Sequence, residues 1–331
     1  MHPLSRESVS VFAPVATAEL GARIAAALGL PIGRHEETTF TGEERKLRPL
    51  ESVRGRSVYV VQTLFGDARG SANDRLCSLL FFIGALKDAG ARRVSACVPY
   101  LAYGRQERRA AARDPVTTRY VAQLFEAIGV DQMIALEVHD RTAFDNSFRC
   151  AAAHLEAAPL FVRHFCADTG GPDFAVATPD IGGAKRARRL QELLQTAIGR
   201  AVNFAIIDKK RSKGVVSGDL FAGDVAGRRV IIVDDLISSG TTVLHAIDAC
   251  RRAGAARIDV AATHASFAPE AMRILESVKP DSIVVTDSVA LSGGYLPYLN
   301  KSLTALSIAP LFAEAIRRLE QGGSMSELAG L

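Results

Sequence analysis

The sequence predicts an α/β protein of two tandem domains, each a mainly parallel β-sheet flanked by helices. Several short runs of β-branched apolar residues, such as residues 230–233, lack polar alternation, which is typical of strands buried on both faces of a parallel sheet. Loops rich in glycine and hydroxyl side chains join these runs to helical patterns. A strand–loop–helix–strand unit also occurs twice in the chain of 331 residues, a length typical of about two domains.

The composition narrows the class of protein. Hydrophobic residues make up 48% of the chain and charged residues 23%, so a large globular core can form. The net charge is only +4 and no apolar run reaches membrane-spanning length, so we expect neither nucleic acid nor a membrane as partner. Five widely spaced cysteines, among them Cys77 in a helical pattern, predict buried, reduced thiols and a cytoplasmic protein.

The first 50 residues begin with a strand pattern at residues 9–12. An Ala- and Leu-rich helix follows over about residues 16–28, and Pro31 ends it because proline does not continue a helix. Residues 34–50 are polar and charged without a clean period. Both a hairpin and a mobile arm are compatible with that stretch.

An internal repeat relates the two halves of the chain. The first copy covers residues 56–94 and the second covers residues 228–258, and each consists of a strand, a loop, a helix, a short Ala- and Gly-containing link and a second strand. Right-handed crossovers are the expected geometry of both copies. Residues 62–63 are a Gln–Thr pair where the second copy carries Asp234 and Asp235, so we expect duplicated domains of which the second keeps an acidic site.

Two carboxylates follow the strand pattern of the second copy where that strand should end. Ionised aspartates are strong hydrogen-bond acceptors, so Asp234 and Asp235 suit the vicinal hydroxyls of a sugar. The next loop leads into a helix N-terminus, which suits a phosphate. Its residues are Ser238, Ser239, Gly240, Thr241 and Thr242. We therefore predict a sugar-phosphate site, with an ordinary strand–turn–helix corner and a serine cap as the alternative.

Two candidate loops follow strand patterns of the first half. In the first, Arg105 and Arg108 can meet phosphates and Gln106 can contact the edge of a base. His139 follows the strand pattern of residues 132–136, which makes it a candidate for a metal or phosphate contact. A solvated basic loop and a structural histidine are the alternatives.

The second half contains two more candidate segments. The strand pattern of residues 174–177 leads to Asp180 and two glycines, whose backbone N–H groups can hold a pyrophosphate while Asp180 binds Mg²⁺ through water. The strand pattern of residues 204–207 leads into a strongly basic run at residues 209–213, which is typical of a cationic flap over a transferring phosphoryl group. A solvated surface loop is the alternative for the basic run.

Several familiar motifs are absent from the sequence. There is neither a Walker phosphate loop nor a dinucleotide-binding glycine pattern, so neither explains a nucleotide site. The Cys and His residues lack zinc-binding spacing, and Ser238 and Ser239 lack the context of a hydrolase nucleophile.

Taken together, these segments resemble those of the ribose-phosphate pyrophosphokinase family, whose members are also called phosphoribosyl pyrophosphate (PRPP) synthetases. The likeness extends over nearly the whole chain, in the order and spacing of the family. It depends on residues 51–55, 99–108, 180–183, 207–211, 233–235 and a helical segment at residues 311–319.

The resemblance implies two type I phosphoribosyltransferase-like domains, at residues 1–157 and 158–308, and a final helix at residues 309–322 that packs back on the first domain. It implies transfer of the β,γ-pyrophosphoryl group of Mg²⁺-bound ATP to the 1-hydroxyl of ribose 5-phosphate, which gives PRPP and AMP for nucleotide biosynthesis. A homo-oligomer built from dimers, often a hexamer, is also implied.

The resemblance also implies roles for individual residues. Asp234 and Asp235 hold the ribose hydroxyls, residues 238–242 hold the 5-phosphate, and Lys209 and Arg211 are the catalytic cations of the flap. Three further groups are implied by position: the pyrophosphate loop Asp180, Ile181, Gly182 and Gly183; the ATP contacts Phe40, Glu44, Arg105, Gln106, Glu107 and His139; and the Mg²⁺ contacts His139 and Asp180. Phe40 and Glu44 belong to an arm that reaches the adenine of a neighbouring subunit.

The sequence departs from the family pattern in two loops. Residues 238–242 read Ser-Ser-Gly-Thr-Thr where the family usually has Asp-Thr-Gly-Gly-Thr, and Gly42 stands where the adenine arm usually has Asp. Two alternatives stay open: a phosphoribosyltransferase that consumes PRPP, which the loop favours, and a non-catalytic regulatory subunit associated with the synthetase. The retained site residues, Lys209 and Asp235 among them, argue against the regulatory subunit.

Overall fold

The computed structural model describes most of the chain. The described residues are 4–168, 170–212, 215–291 and 303–328, apart from the side chains of residues 208–220 and of Met272. Within these ranges, no helix has the length and apolar character needed to cross a membrane.

The chain divides into two compact units, the first of which combines residues up to Glu156 with Ile308–Leu328. A short 3₁₀ turn at Val15–Thr17 precedes its first helix. Its elements as far as Glu156 are β1 (Val9–Phe12), α1 (Ala18–Leu28), β2 (His35–Thr39), β3 (Arg45–Pro49), β4 (Ser57–Val61), α2 (Ala72–Asp88), β5 (Arg93–Val98), α3 (Thr117–Ala127), β6 (Gln132–Leu136), α4 (Arg141–Ser147) and β7 (Ala151–Leu155).

Five strands of the first unit form one parallel sheet in the order β1-β4-β5-β6-β7. Every residue of β4 and β6 is buried, as expected for strands covered on both faces. The polar stretch that includes β2 and β3 forms a separate antiparallel hairpin. This hairpin packs on α2, because Leu47 belongs to the same buried cluster as Leu76 and Leu80.

The second unit covers Ala157–Ser307. Its elements are α5 (Ala158–Cys166), β8 (Phe174–Thr178), α6 (Ala184–Ile198), β9 (Asn203–Ser212), β10 (Val215–Ala222), β11 (Arg229–Ile237), α7 (Thr241–Arg252), β12 (Arg257–Ala265), α8 (Ala271–Val278), β13 (Ser282–Thr286) and β14 (Leu303–Leu306). After this unit, α9 (Ala309–Gln321) and α10 (Met325–Leu328) belong to the first unit again.

The second sheet has the order β10-β9-β8-β11-β12-β13-β14, and only the β9–β10 pair is antiparallel. The chain therefore adds β9 and β10 on one side of β8, and then adds β11 and the later strands on the other side. Such a reversal opens a crevice at the carboxyl ends of the two strands, where ligands bind in open α/β sheets. The order of the first sheet contains no such reversal among the described strands.

The internal repeat is visible as matching hydrogen bonds in the two units. Both copies have a glycine–glycine backbone contact before the first strand and an aspartate that accepts from the strand after the helix. The matching bonds run from Gly55 N to Gly90 O and from Gly227 N to Gly254 O, both 2.8 Å, and from Val94 N to Asp131 Oδ2 and from Ile258 N to Asp281 Oδ2, both 2.7 Å. The duplication predicted from sequence is therefore a structural one.

Three details of the prediction are wrong. β11 continues to Ile237 rather than ending before the aspartates, because its last residues still pair with β12. The basic run at residues 209–213 is not a loop throughout, since β9 extends to Ser212 and pairs with β10. Cys77 is exposed on α2 rather than buried.

A buried polar contact fixes α9 to the first sheet. Tyr59 of β4 is fully buried, its hydroxyl donates to Glu320 Oε1 at 2.7 Å, and it accepts from Arg93 Nη2 at 2.8 Å. Arg93 also pairs with Glu320. Burial and the neighbouring Glu320 carboxylate raise the pKa of Tyr59, so its hydroxyl stays protonated as a donor. The last long helix is thus held to β4 and β5 by one three-residue cluster.

We expect Tyr59→Phe to lower the free energy of unfolding by about 1–2 kcal/mol, because it removes the two hydrogen bonds of a buried hydroxyl without changing the packed ring. Urea unfolding followed by circular dichroism measures this. The matched control is Tyr120→Phe on α3, where the ring is 46% exposed and little change is expected. Equal stabilities of the two variants would contradict a structural role for the Tyr59 hydroxyl.

Candidate active site

Asp234 and Asp235 lie where the strand order of the second sheet reverses. The pairing of β11 with β8 ends at Ile232 and Ala177, whereas its pairing with β12 continues to Ile237. The two acids therefore extend past the end of β8, at the carboxyl edge of the sheet. Both are largely buried, with 15% of the Asp234 side chain and 6% of the Asp235 side chain exposed.

The local electrostatics of this pair are unfavourable. Burial raises the pKa of Asp234, the adjacent charge of Asp235 raises it further, and the Arg186 guanidinium partly opposes both effects. Two backbone N–H groups also stabilise the carboxylates. Asp234 Oδ1 accepts from Asp235 N at 2.9 Å, and Asp235 Oδ1 accepts from Leu236 N at 3.0 Å. Carboxylates in this setting gain from a ligand that donates hydrogen bonds to them.

Arg186 is a site residue that the sequence prediction missed. Its Nη1 lies 3.6 Å from Asp234 Oδ1 and its Nη2 lies 3.9 Å from Asp235 Oδ2. It occupies the first turn of α6, three residues after Gly183. The position of Arg186 just after the paired glycines could have indicated it, because a helix that starts there begins at the same sheet edge as the acids.

The predicted phosphate loop connects β11 to α7. Gly240 adopts a left-handed conformation, with φ of 83°, and is the residue before the first turn of α7. Ser239 Oγ lies 2.5 Å from Thr241 Oγ1 and accepts from Thr241 N at 3.4 Å. The Ser238 carbonyl accepts from Ala268 N at 3.1 Å. The loop thus presents a helix N-terminus and several hydroxyls beside the acids. The N-cap residue of α7 is Gly240 rather than a serine.

The predicted pyrophosphate loop connects β8 to α6. Asp180 Oδ1 accepts from Gly183 N at 2.9 Å, and Thr178 Oγ1 donates to the Asp180 carbonyl at 2.7 Å. A Cβ atom on Gly183 would lie only 2.5 Å from Thr178 Oγ1, so this tight turn requires glycine. Asp180, Ile181 and Gly182 are exposed. The loop therefore opens to solvent next to the end of β11.

The predicted catalytic cations lie in the β9–β10 hairpin. Lys209 is paired with Asp219, and Arg211 is paired with Val216, in the antiparallel register of the two strands. Their side chains lie outside the described part of the structure. Both residues belong to the hairpin next to β8, on the other side of β8 from the acids.

The ATP contacts predicted in the first unit come from adjacent strands. Arg105, Gln106 and Glu107 follow β5, and the exposed His139 follows β6, its neighbour in the sheet. Gln106 Oε1 accepts from Thr117 Oγ1 at 2.6 Å, which fixes its amide. The Glu107 side chain is 9% exposed, and its buried Oε2 has no hydrogen-bond partner among the described residues.

The remaining two predicted contacts lie elsewhere in the first unit. Phe40 and Glu44 form the tip of the β2–β3 hairpin, where Phe40 N donates to the Glu44 carbonyl at 2.8 Å. The Phe40 ring is 49% exposed, with Lys46 Nζ 5.8 Å from its centroid. This hairpin is separate from the five-stranded sheet. The loop residues and His139 thus follow neighbouring strands, whereas Phe40 and Glu44 belong to a separate hairpin.

Comparison with known proteins identifies relatives over nearly the full chain. The N-terminal domain of ribose phosphate pyrophosphokinase matches residues 9–129, and the phosphoribosyl synthetase-associated domain matches residues 195–329. A ribose-phosphate pyrophosphokinase from Fusobacterium nucleatum is 36% identical over 326 residues, which cover 97% of this chain and 98% of that protein. One from Caldanaerobacter subterraneus is 36% identical over 324 residues, with the same two coverages.

A solved structure is similar as well. The crystal structure of phosphoribosylpyrophosphate synthetase from Mycobacterium smegmatis matches with a TM-score of 0.84 and 29% sequence identity, over 96% of this chain and 100% of that chain. This match confirms the predicted fold class of two tandem type I phosphoribosyltransferase-like domains, each a mainly parallel sheet flanked by helices.

We expect Asp234→Asn to stabilise the protein, and the gain to increase with pH. Because the pKa of Asp234 is raised, the folded protein holds this proton more tightly than the unfolded chain does. Wild-type stability is therefore lost as the pH rises above the ordinary Asp pKa of about 3.9. Urea unfolding at about pH 5 and about pH 8 should show a larger advantage of the variant at the higher pH, of at least ~1 kcal/mol.

Asp224→Asn is the matched control for this measurement. A hydrogen bond from Arg228 holds the pKa of the exposed Asp224 below its usual value, so its ionisation favours the folded state and the same substitution should not stabilise. A gain that is the same at both pH values for Asp234→Asn would show that titration of this group is not its cause.

Proposed function

The chain belongs to the ribose-phosphate pyrophosphokinase family, and we propose that it transfers the β,γ-pyrophosphoryl group of ATP to the 1-hydroxyl of ribose 5-phosphate, giving PRPP and AMP. The observation that carries this proposal is the pair Asp234 and Asp235 at the strand reversal, followed directly by a hydroxyl-rich helix start. Acceptors for vicinal hydroxyls beside donors for a phosphate suit a phosphorylated sugar better than either ligand type alone.

In the proposed sugar site, Asp234 and Asp235 accept from the ribose hydroxyls. The 5-phosphate binds the loop of Ser238, Ser239, Gly240, Thr241 and Thr242, where the start of α7 supplies N–H groups and a positive dipole end. The sugar is thereby fixed at both ends. Its 1-hydroxyl is then held in one direction, as an in-line attack requires.

In the proposed transfer, the ribose 1-hydroxyl releases its proton to solvent and its oxygen forms a bond to the β-phosphorus. The bond between the α,β-bridging oxygen and that phosphorus breaks, and AMP leaves. Such a reaction depends on positioning and charge neutralisation more than on covalent chemistry. Lys209 and Arg211 of β9 are the proposed catalytic cations, and Asp180, Ile181, Gly182 and Gly183 form the proposed pyrophosphate loop. The backbone N–H groups of this loop bind oxygens of the transferred pyrophosphoryl group.

The residues present fit Mg²⁺ held together with substrate phosphates. Among the described residues, no group of three or more His, Cys, Asp or Glu forms a metal cage. Mg²⁺ keeps several waters and takes one or two carboxylates with phosphate oxygens, so the exposed Asp180 carboxylate at the pyrophosphate loop is a suitable donor. Asp180 in the second unit and His139 in the first unit are each a proposed Mg²⁺ contact, and bound Mg²⁺ would neutralise charge on phosphate oxygens.

The proposed ATP contacts belong to the first unit. Arg105 meets phosphate oxygens, Gln106 and Glu107 contact the nucleoside, and Phe40 and Glu44 contact the adenine from the hairpin of a neighbouring subunit. The exposed Phe40 ring at a hairpin tip suits stacking on a base. The proposal therefore includes a homo-oligomer built from dimers, up to a hexamer, and a cytoplasmic enzyme.

A phosphoribosyltransferase that consumes PRPP is the second candidate, favoured by the Ser-Ser-Gly-Thr-Thr sequence of residues 238–242. The duplicated first unit and the basic β9 strand favour the synthetase instead, because a transferase needs only one such sheet. Both candidates share the sugar-phosphate site. They differ in whether ATP is a substrate.

The deciding experiment measures AMP release from purified protein with Mg²⁺ and ATP, in the presence and absence of ribose 5-phosphate. AMP that forms only with the sugar phosphate, together with PRPP, establishes the synthetase. No AMP, with PRPP still bound in a direct binding assay, would overturn the proposal in favour of the transferase.

We expect Lys209→Ala to lower kcat by at least ~100-fold, the scale for removing a preorganised charge-stabilising group. Ribose 5-phosphate binding, measured by calorimetry, should persist because the sugar acids are unchanged. The control is Lys279→Ala, which removes an exposed lysine at the end of α8 and should leave turnover intact. Unchanged kcat in Lys209→Ala would remove this residue from the mechanism.

We expect Asp235→Ala to weaken ribose 5-phosphate binding by at least ~10-fold, the scale of a lost charge-assisted hydrogen bond, while the KM for ATP changes far less. Steady-state kinetics with each substrate varied in turn measures the two effects. Asp224→Ala, an exposed acid that pairs with Arg228, serves as the control. Equal losses for both substrates would argue against a sugar-holding role.

A further inference from the structure

We propose that Arg186 is a positioning residue of the sugar site, which spans Asp234 and Asp235, opposes their mutual repulsion and orients both carboxylates for the ribose hydroxyls. This inference builds on the proposed function of the site. It assigns a role to a side chain that acts on the ligand only through the two acids.

The geometry is that of a fork across two acids. Nη1 of Arg186 faces Asp234 Oδ1 at 3.6 Å, while Nη2 faces Asp235 Oδ2 at 3.9 Å. A planar guanidinium offers two nitrogens with a fixed separation, which a lysine ammonium does not. The Arg186 side chain is only 13% exposed, so its position is defined by packing and its charge is weakly screened by water.

The two distances define the kind of contact that Arg186 makes at these oxygens. Both exceed the range of a hydrogen bond, so Arg186 acts on the acids at these oxygens through charge. A direct bidentate bond would compete with sugar hydroxyls for the same lone pairs. A counter-charge at slightly longer range instead opposes the repulsion between Asp234 and Asp235 without that competition.

The fold explains why the arginine stands there. α6 begins directly after Gly183, and a Cβ atom on that glycine would lie 3.7 Å from Arg186 Nη1 as well as 2.5 Å from Thr178 Oγ1. The tight turn therefore brings the first turn of α6 close to the end of β11. The same loop that is proposed to hold the pyrophosphate thus also places the counter-charge of the sugar acids.

Calorimetric titration with ribose 5-phosphate tests this role, together with kinetics in which each substrate is varied. We expect Arg186→Gln to raise the Kd for ribose 5-phosphate at least ~10-fold, since an opposite charge shifts a carboxyl pKa by about 1–3 units. The KM for ATP should not change. Arg186→Lys should recover part of the affinity, because it restores the charge without the fork.

Arg188→Gln is the matched control on the same helix. Arg188 is exposed, its guanidinium lies 3.8 Å from the centroid of the Phe204 ring, and its Nη1 donates to Gln191 Oε1 at 3.0 Å. Its loss removes packing from α6 without touching the acids, so ribose 5-phosphate affinity should match that of the wild type. Thermal unfolding of all variants reports whether α6 stays folded.

Wild-type affinity of Arg186→Gln for ribose 5-phosphate would overturn the inference, and so would an equal loss for ATP. If Arg186→Gln does not fold, Arg186→Lys decides: weaker sugar binding with unchanged ATP kinetics supports the role, and no change refutes it. A wild type that binds ribose 5-phosphate without releasing AMP would refute the proposed reaction alone, because the Arg186 comparison is made on binding.

Discussion

Two adjacent carboxylates at the end of a buried strand are the constraint on which the second unit depends. Removing an ionised group from water costs roughly several kcal/mol unless charge or hydrogen bonds compensate it. Asp234 and Asp235 receive backbone N–H bonds from β11, the guanidinium of Arg186 from α6, and an open sheet edge where β8 ends. Compensation is incomplete, since the pKa of Asp234 stays raised, and the proposed sugar ligand would add hydrogen bonds to the acids. The electrostatic cost and the proposed ligand contacts therefore belong to the same residues.

The two units share the order of five parallel strands and differ in their antiparallel hairpins, because β9–β10 joins its sheet whereas β2–β3 forms a separate one. In the second unit β9 and β10 continue the sheet beyond β8, so β8 becomes an inner strand and a crevice opens beside β11. In the first unit β1 is the edge strand and the order runs on without reversal. Gln62 and Thr63, at the positions of the aspartates, are buried, and the Gln62 amide donates to the Thr63 carbonyl. Uncharged residues suit a strand end that has no crevice to open into.

The local sequence pattern was sufficient to predict most strands and helices. Features that depend on long-range packing could not be predicted from it. β6 has the bounds that its apolar run predicted, whereas β11 continues past the two acids to Ile237 because its last residues pair with β12. Arg186 was not predictable from its neighbours, because its role depends on how α6 is oriented toward β11. The exposure of Cys77 likewise depends on which face of α2 packs on the sheet. The side chains of Lys209 and Arg211, and the function of every site residue, remain predictions from the resemblance.

The serine at the start of the phosphate loop changes the charge balance of the site. Where the family usually has an aspartate, a third carboxylate would stand beside Asp234 and Asp235, with Arg186 as the counter-charge that faces the pair. Ser238 carries no charge, and its carbonyl anchors the loop through the N–H of Ala268. The loop keeps its neutral hydroxyls and the left-handed Gly240 that directs the chain into α7. An anionic phosphate at the proposed site would meet donors and a helix dipole with less opposing charge in the loop, so the substitution is compatible with the proposed binding chemistry.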